Sequence, residues 1–302
     1  MSPMPSRPRS PSRAALALLP VFGLAAVAPP QAPSAVVTWL RAADWEELHG
    51  KPLPLLLDTG PADIPALVDV MTRGTEPQRM LASYVLGYAG GDAAIDALRS
   101  HLGHARPASA MLCLALGARG NAADRADLIL ALDGVHFAEQ VPPVGAAALT
   151  LGILRETRAV PALERLAIAR SWGSTEAQEA LRWIRDGPWT VDGVPAASDE
   201  DRIITAALRN GIPDGGHASA YQDDSRGGVW IFDGHAWRFR AGARAGDTPG
   251  LSFEVTMNRD HNRAILSVGL AYAPLAGAGY DYLLTRETDG WRVRAAYPTW
   301  IS

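Results

Sequence analysis

Two stretches decide how this chain is read: LASYVLGYAGG (81–91) and MLCLALGARGN (111–121). Both are apolar nearly all round, and both close on glycine or asparagine with hardly a charge between them. A helix at the surface shows one apolar stripe and one polar face, so a helix apolar on every side belongs between neighbours. Aligning the stretches on their Leu-Gly pairs, Leu86-Gly87 and Leu116-Gly117, brings in Leu151-Gly152 and a fourth copy that loses the glycine, Leu181-Arg182. The copies step by 30, 35 and 30 residues. Upstream of each lies a second pattern, DIPALVDVM around Leu67, AAIDALRSHL around Leu98, ADRADLILAL around Leu128 and AVPALERLAI around Leu163, stepping by 31, 30 and 35. Two markers that keep nearly the same spacing predict a repeat.

Each unit reads as a helical hairpin. Its first helix is amphipathic, with Ile64 and Leu67, or Val160 and Leu163, three apart on one face. Its second helix is packed between neighbours. Gly90-Gly91, Gly120-Asn121 and Asp186-Gly187 supply C-terminal stops. Ala82-Ser83 and Ala147-Ala148, before the Leu-Gly pairs, are small enough for close helix approach, and Cys113 fills the same slot. A lone hairpin cannot cover its own apolar face, so three or more must stack to be stable.

With these features, residues 61–187 resemble a short array of HEAT repeats of the compact bacterial kind. The IPALVDVM and VPALERLA first helices and the ALG-type second helices carry the likeness. Arg79 falls where that family usually has an arginine; Ser109 and Val144 replace it in the next two copies, and an insertion surrounds Pro142-Pro143. The resemblance implies an all-α helical-hairpin solenoid that offers binding surfaces to a protein partner. SAVVTWLRAADWEELHG (34–50), within an N-terminal segment 29–60, reads as an amphipathic helix able to cap the first hairpin.

After Gly187 the period changes. Residues 188–198 are punctuated by proline and glycine and read as a linker. Ser198 to Asp201 forms a capping box for the helix DEDRIITAALRN, stopped by Gly211. Three strand pairs follow, turning at Asp233-Gly234, at Arg259-Asp260-His261-Asn262 and at Asp289-Gly290. One helix and about six strands predict a small α+β domain, 199–302, with a curved antiparallel sheet. The ending GYDYLLTRETDGWRVRAAYPTWIS is similar to the last strand pair of nuclear-transport-factor-2-like domains. That fold class implies a cupped sheet able to host a small ligand or an isomerase.

The N-terminus gives an address. Arg7, Arg9 and Arg13 precede an apolar run from Ala14 to Ala28 that ends Ala26-Val27-Ala28, the pattern of a secretory signal over 1–28. Pro29 moves the expected cut towards Ser34. The run is too short to span a bilayer, and Pro20 interrupts it, so no stable membrane anchor is expected after cleavage. The expected location is the bacterial periplasm or the medium. Losing three arginines takes the net charge from −4 to −7, which gives no reason to expect nucleic-acid binding.

Chemistry is sparse in the sequence. Lys51, the only lysine, sits in a turn-like HGKPLPLL; Cys113, the only cysteine, rules out an internal disulfide and reads as buried. His101 and His104 are spaced to share a metal, yet no carboxylate completes a site, so no metal and no cofactor is expected. Asp260-His261 lies in a turn, and DTG at Asp58 has no second copy to form a carboxylate dyad. Trp230, Trp237, Trp291 and Trp300 gather in the C-terminal part with Tyr280, Tyr282 and Tyr297. Aromatic residues favour strands and fill sheet cores, but Trp300, Trp237 and His235 are the candidates for ligand contact, with Trp300 first. No catalytic residue is nominated. The expected function is an exported non-catalytic scaffold; the alternative is ligand binding or isomerase-like activity in the C-terminal cup.

Overall fold

The computed structural model describes residues 34–44, 56–102, 108–133, 143–169, 171, 173–193, 198–212, 220–243, 249–273 and 276–301. The expected signal segment, Lys51, His104 and Pro142 lie outside them. Residues 33–302 form one compact unit.

Helices come first. α1 (Ala35–Ala42) is followed by α2 (Ile64–Arg73), α3 (Glu76–Ala89), α4 (Gly91–Ser100), α5 (Ala108–Arg119), α6 (Ala122–Ala131), α7 (Val144–Ile153), α8 (Val160–Ile168) and α9 (Ser174–Asp186). Proline in the first turn of α2, α3 and α8 fits where no intrahelical N–H is required. Asn121 Oδ1 accepts from the Asp124 N–H at 2.9 Å and starts α6. α1 packs on α2 and α3. Consecutive helices pack as hairpins, and α3, α5, α7 and α9 touch one another in that order.

The Leu-Gly pairs explain that row. Leu86, Leu116 and Leu151 are all buried in one core. A Cβ on Gly87 would sit 2.8 Å from Met111 Cβ of α5, and one on Gly152 2.7 Å from the Ala180 Cα of α9. On Gly117 it would meet Thr150 of α7 and come within 2.9 Å of Ala295 Cβ. Each glycine is thus where the next second helix rests, a role additional to that of the small residues before it.

The second part holds β1 (Thr190–Asp192), α10 (Asp199–Asn210), β2 (Ala220–Asp223), β3 (Gly228–Phe232), β4 (Ala236–Ala241), β5 (Gly250–Met257), β6 (Arg263–Ala273), β7 (Ala276–Glu287) and β8 (Gly290–Ile301). The expected capping box forms: the Ser198 hydroxyl accepts from Asp201 N–H at 3.1 Å, and Gly211 stops α10 with φ of 112°. All three expected turns are present. The antiparallel expectation needs correction. The eight strands lie in the order β1-β4-β3-β2-β5-β6-β7-β8, and the sheet is mixed, because β1 runs parallel to β4 and β2 parallel to β5. β1 comes from the stretch that reads as a linker.

The sheet lies between two helical layers. Alternation along the strands, with a register shift in β8 between Val293 and Ala295, sends Ile265, Leu283 and Ala295 into the core shared with α5 and α7. The opposite face sends Leu266, Val268, Tyr282, Leu284 and Val293 against Ile203, Ile204, Ala207 and Leu208 of α10. A polar seam crosses the first contact. The Tyr88 hydroxyl donates to Asp281 Oδ2 at 2.6 Å, Ser267 donates to Asp281 Oδ1 at 2.7 Å, and Arg263 donates to the Tyr88 carbonyl. Burial first, and then the Asp281 charge, push the Tyr88 hydroxyl well above its ordinary pKa. Asp58 of the DTG triplet accepts the Arg259 N–H at 3.0 Å, which fixes the β5–β6 turn to the helices.

Candidate functional site: an arginine-lined cavity

Where α7 ends, α10 passes and β8 begins, the chain leaves a cavity of about 760 Å³. That is within the ~300–1,000 Å³ of small-molecule sites. Arg125, Arg155, Arg202, Arg209, Arg292 and Arg294 line it, against one lining carboxylate, Asp289. Helical spacing brings five residues of α10 to the wall: Arg202, Thr205, Ala206, Arg209 and Asn210 recur at intervals of three and four, so they share a face. β8 contributes Arg292 and Arg294, which alternate with Trp291 and Val293.

Carboxylates behind the wall hold four of these arginines. Arg125 pairs with Glu156 at 3.5 Å, Arg202 with Asp199 at 3.1 Å and Arg292 with Glu287 at 3.1 Å, while Arg294 also pairs with Glu287. The Glu156 carboxyl falls from its ordinary 4.5 to about 2, chiefly through its hydrogen bonds from Arg158. Burial pulls the Arg294 guanidinium below its usual pKa.

Arg155 differs from the others. It follows α7 in the left-handed region, with φ of 49°. Its N–H reaches the Gly152 carbonyl at 3.1 Å, and the next N–H reaches Leu151 at 3.0 Å, a Schellman stop. Four residues after the Leu-Gly leucine, the first two copies place Gly90 and Gly120, with φ of 65° and 64°. The third places an arginine there. Its Nη1 donates to the Trp183 carbonyl, while Nη2 is buried without an acceptor among the described residues. Burial lowers its pKa. Gly187 makes room, since a Cβ there would crowd the Arg155 guanidinium.

Of the nominated ligand residues, Trp237 and His235 are not among those that line this cavity. Trp237 is 1% exposed in the core beneath α10, stacked near Tyr221 and Phe232 at ring distances of 6.0 and 4.9 Å. His235 is exposed in the β3–β4 turn, where its N–H meets Asp233 Oδ1 at 3.1 Å. Trp300 has its backbone on β8, opposite Gly279; its side chain lies outside the described residues. Trp237 and His235 belong to β4 and its turn, Trp300 to the edge strand at the far end of the strand order. Within the curve of the sheet, Trp230, Tyr221 and Tyr282 are fully buried around α10. Trp230 donates its indole N–H to the buried Asp223 at 2.9 Å, which accounts for a carboxylate in that core. Of the aromatic group, Trp291 lines the arginine cavity.

Comparison with protein-family models, with curated proteins and with solved structures finds no match to this chain. The site therefore stands on its own chemistry.

Among the described residues no group of three His, Cys, Asp or Glu side chains is placed to hold a metal ion, and no helix is long and apolar enough to cross a membrane. His101 is occupied locally: Nδ1 lies 2.8 Å from the Ala97 carbonyl and Nε2 3.2 Å from Thr72 Oγ1. Cys113 is buried. What the cavity can do is bind. Guanidinium forks present fixed pairs of donors that match carboxylate and phosphate oxygens. The sequence reading missed these residues because six arginines spread over 125–294 make no linear motif. One signal was available: the arginine four positions beyond Leu151, where the first two copies have glycine.

Proposed function

We propose that the chain is an exported, non-catalytic scaffold: a HEAT-like array of four helical hairpins, braced by its own sheet, that presents its outer row of helices to a protein partner. The observation that carries this reading is the common buried setting of Leu86, Leu116 and Leu151, with each following glycine seated against a neighbouring second helix. The inner row is not open to a partner over α5 and α7, since β8 packs there. That leaves α2, α4, α6 and α8, whose outward positions include the exposed Ala93 and Ala126. Ion pairs such as Arg99–Asp127 and Arg165–Asp133 join successive members of this row. The signal-like N-terminus supports export. Crosslinking of the tagged full chain in cells of the envelope fraction tests the proposal. Saturable capture of one partner is expected, lost when Ala93→Arg and Ala126→Arg are combined. A monomer that captures nothing, or capture indifferent to those substitutions, contradicts it.

One observation favours a second reading, small-ligand binding. The cavity supports a site at the joint between the helices and the sheet, and it moves the ligand away from the curve of the sheet, where α10 packs.

A further inference from the structure

We infer that the junction cavity takes up a short, extended acidic peptide, which adds as a further strand to the free edge of β8. The inference rests on the ligand-binding reading of this cavity and names the ligand, a peptide held chiefly by its backbone.

The edge is the first observation. β8 ends the strand order and pairs only with β7. Alternate residues of such a strand turn an N–H and a C=O away from the sheet. From Gly290 to Arg294 the main chain meets no other backbone partner among the described residues. Sheets commonly protect an edge by keeping its strand short. β1, at the opposite edge, has 3 residues, whereas β8 has 12. Later in β8 the helices close in: α7 packs along the strand, and the Arg294 carbonyl lies 3.2 Å from where a Gly117 Cβ would stand. The start of β8 is the part left for a partner.

The cavity is the second observation. Trp291, Arg292, Val293 and Arg294 all line it. Successive side chains of a strand point to opposite faces, so a cavity that four of them share runs along the edge and not over one face. One wall is α10 and the other is the end of α7, which places the slot in line with the sheet. Its open side is marked by the exposed Arg209, Asp289 and Arg292. At ~3.3 Å per residue, the edge from Gly290 to Arg294 offers about 13 Å, enough for about four or five residues of a partner. A volume of about 760 Å³ suits a ligand of that size.

Charge selects the partner. The lining carries six arginines and one carboxylate. Glu156, Asp199 and Glu287, which pair with these arginines from behind, still leave the slot positive, in a chain whose net charge is −4. Two copies of this edge would bring arginine against arginine, which disfavours self-pairing; a strand bearing carboxylates meets opposite charge.

Calorimetric titration of the full chain with acetyl-Glu-Val-Glu-Val-Glu-amide tests this, beside its lysine counterpart and acetyl-Glu-amide. The glutamate peptide is expected to bind saturably, more weakly as salt rises, and at least about tenfold more tightly than either control. N-methylation of its three central residues removes donors on both of its edges and is expected to abolish binding. Hydrogen exchange of residues 290–294 is expected to slow when the peptide is bound. Arg292→Glu is expected to weaken binding by about tenfold or more, with its melting midpoint held because the side chain is 53% exposed. Arg99→Ala, on the outer row, is expected to leave binding unchanged. Binding that survives N-methylation, or that leaves 290–294 exchanging as before, overturns the strand addition. Equal binding of the lysine peptide overturns the acidic preference. If acetyl-Glu-amide binds as tightly as the longer peptide, the cavity remains a ligand site and the peptide assignment fails. If no probe binds, the ligand-binding reading fails with the inference.

Discussion

At the residue scale, buried charge divides into two kinds. Glu156 is 5% exposed yet sits between Arg125 and Arg158, and its carboxyl is held near 2. Its contribution to stability is therefore present above 4.5 and lost as pH falls towards 2. Glu176, in the first turn of α9, is equally buried beside Gly145 and Pro298, with no ion pair among the described residues. Burial raises its pKa, opposed only by a backbone N–H. The sign is reversed: ionising Glu176 costs the folded state whenever pH lies above its raised pKa, and costs nothing below the ordinary 4.5, where folded and unfolded forms are both protonated. Glu176→Gln is expected to raise the melting midpoint at pH 7, and the gain is expected to vanish at pH 4. Thermal melts at the two pH values check this; an equal gain at both would assign the effect to packing and not to charge. Neither glutamate's setting was legible in the sequence: Glu156 follows the stop of α7 with Arg158 two residues on, and Glu176 opens α9, and neither position tells from its neighbours how deeply the carboxylate is buried.

At the scale of elements, the Leu-Gly pair separates helix propensity from packing. Glycine inside a helix ordinarily costs about 0.5–1 kcal/mol relative to alanine. At Gly87 and Gly152 the replacement is expected to go the other way, destabilising by about 1–3 kcal/mol, since a Cβ would overlap Met111 or the Ala180 backbone. Denaturant midpoints of Gly87→Ala and Gly152→Ala measure this, and a gain in either would show that the second helices do not meet there. The hairpins were legible because two markers recur and because proline and glycine punctuate them. α10 was legible from its capping box, and three strand pairs from alternation across turns such as Asp233-Gly234. β1 and β2 were not. They are 3 and 4 residues long, too short for alternation to declare itself. Their parallel partners, β4 and β5, lie far along the chain, and nothing in a local pattern marks such pairing.

At the scale of the whole molecule, the account turns on where the sheet goes. The sequence marks a change of period after Gly187 and so reads as two parts in series. It carries no local sign that one face of β6–β8 packs on α5 and α7, because the residues that do so, Ile265, Leu283 and Ala295, alternate as any two-sided strand would. Burial on both faces is what a strand sandwiched between helical layers requires, and the polar seam of Tyr88, Ser267 and Asp281 fixes the register of that contact. The arginine cavity arises at the same joint, and for this reason no linear motif announced it. Gly117 is a point where the two parts approach closely, since a Cβ there would meet Thr150 of α7 on one side and Ala295 of β8 on the other. Hydrogen exchange followed by mass spectrometry on Gly117→Ala is therefore the most direct test of the central claim, that the helices and the sheet share one core. The account predicts joint loss of protection in α5, α7 and β8; loss confined to the helices, with β8 protected as in the parent chain, would contradict it.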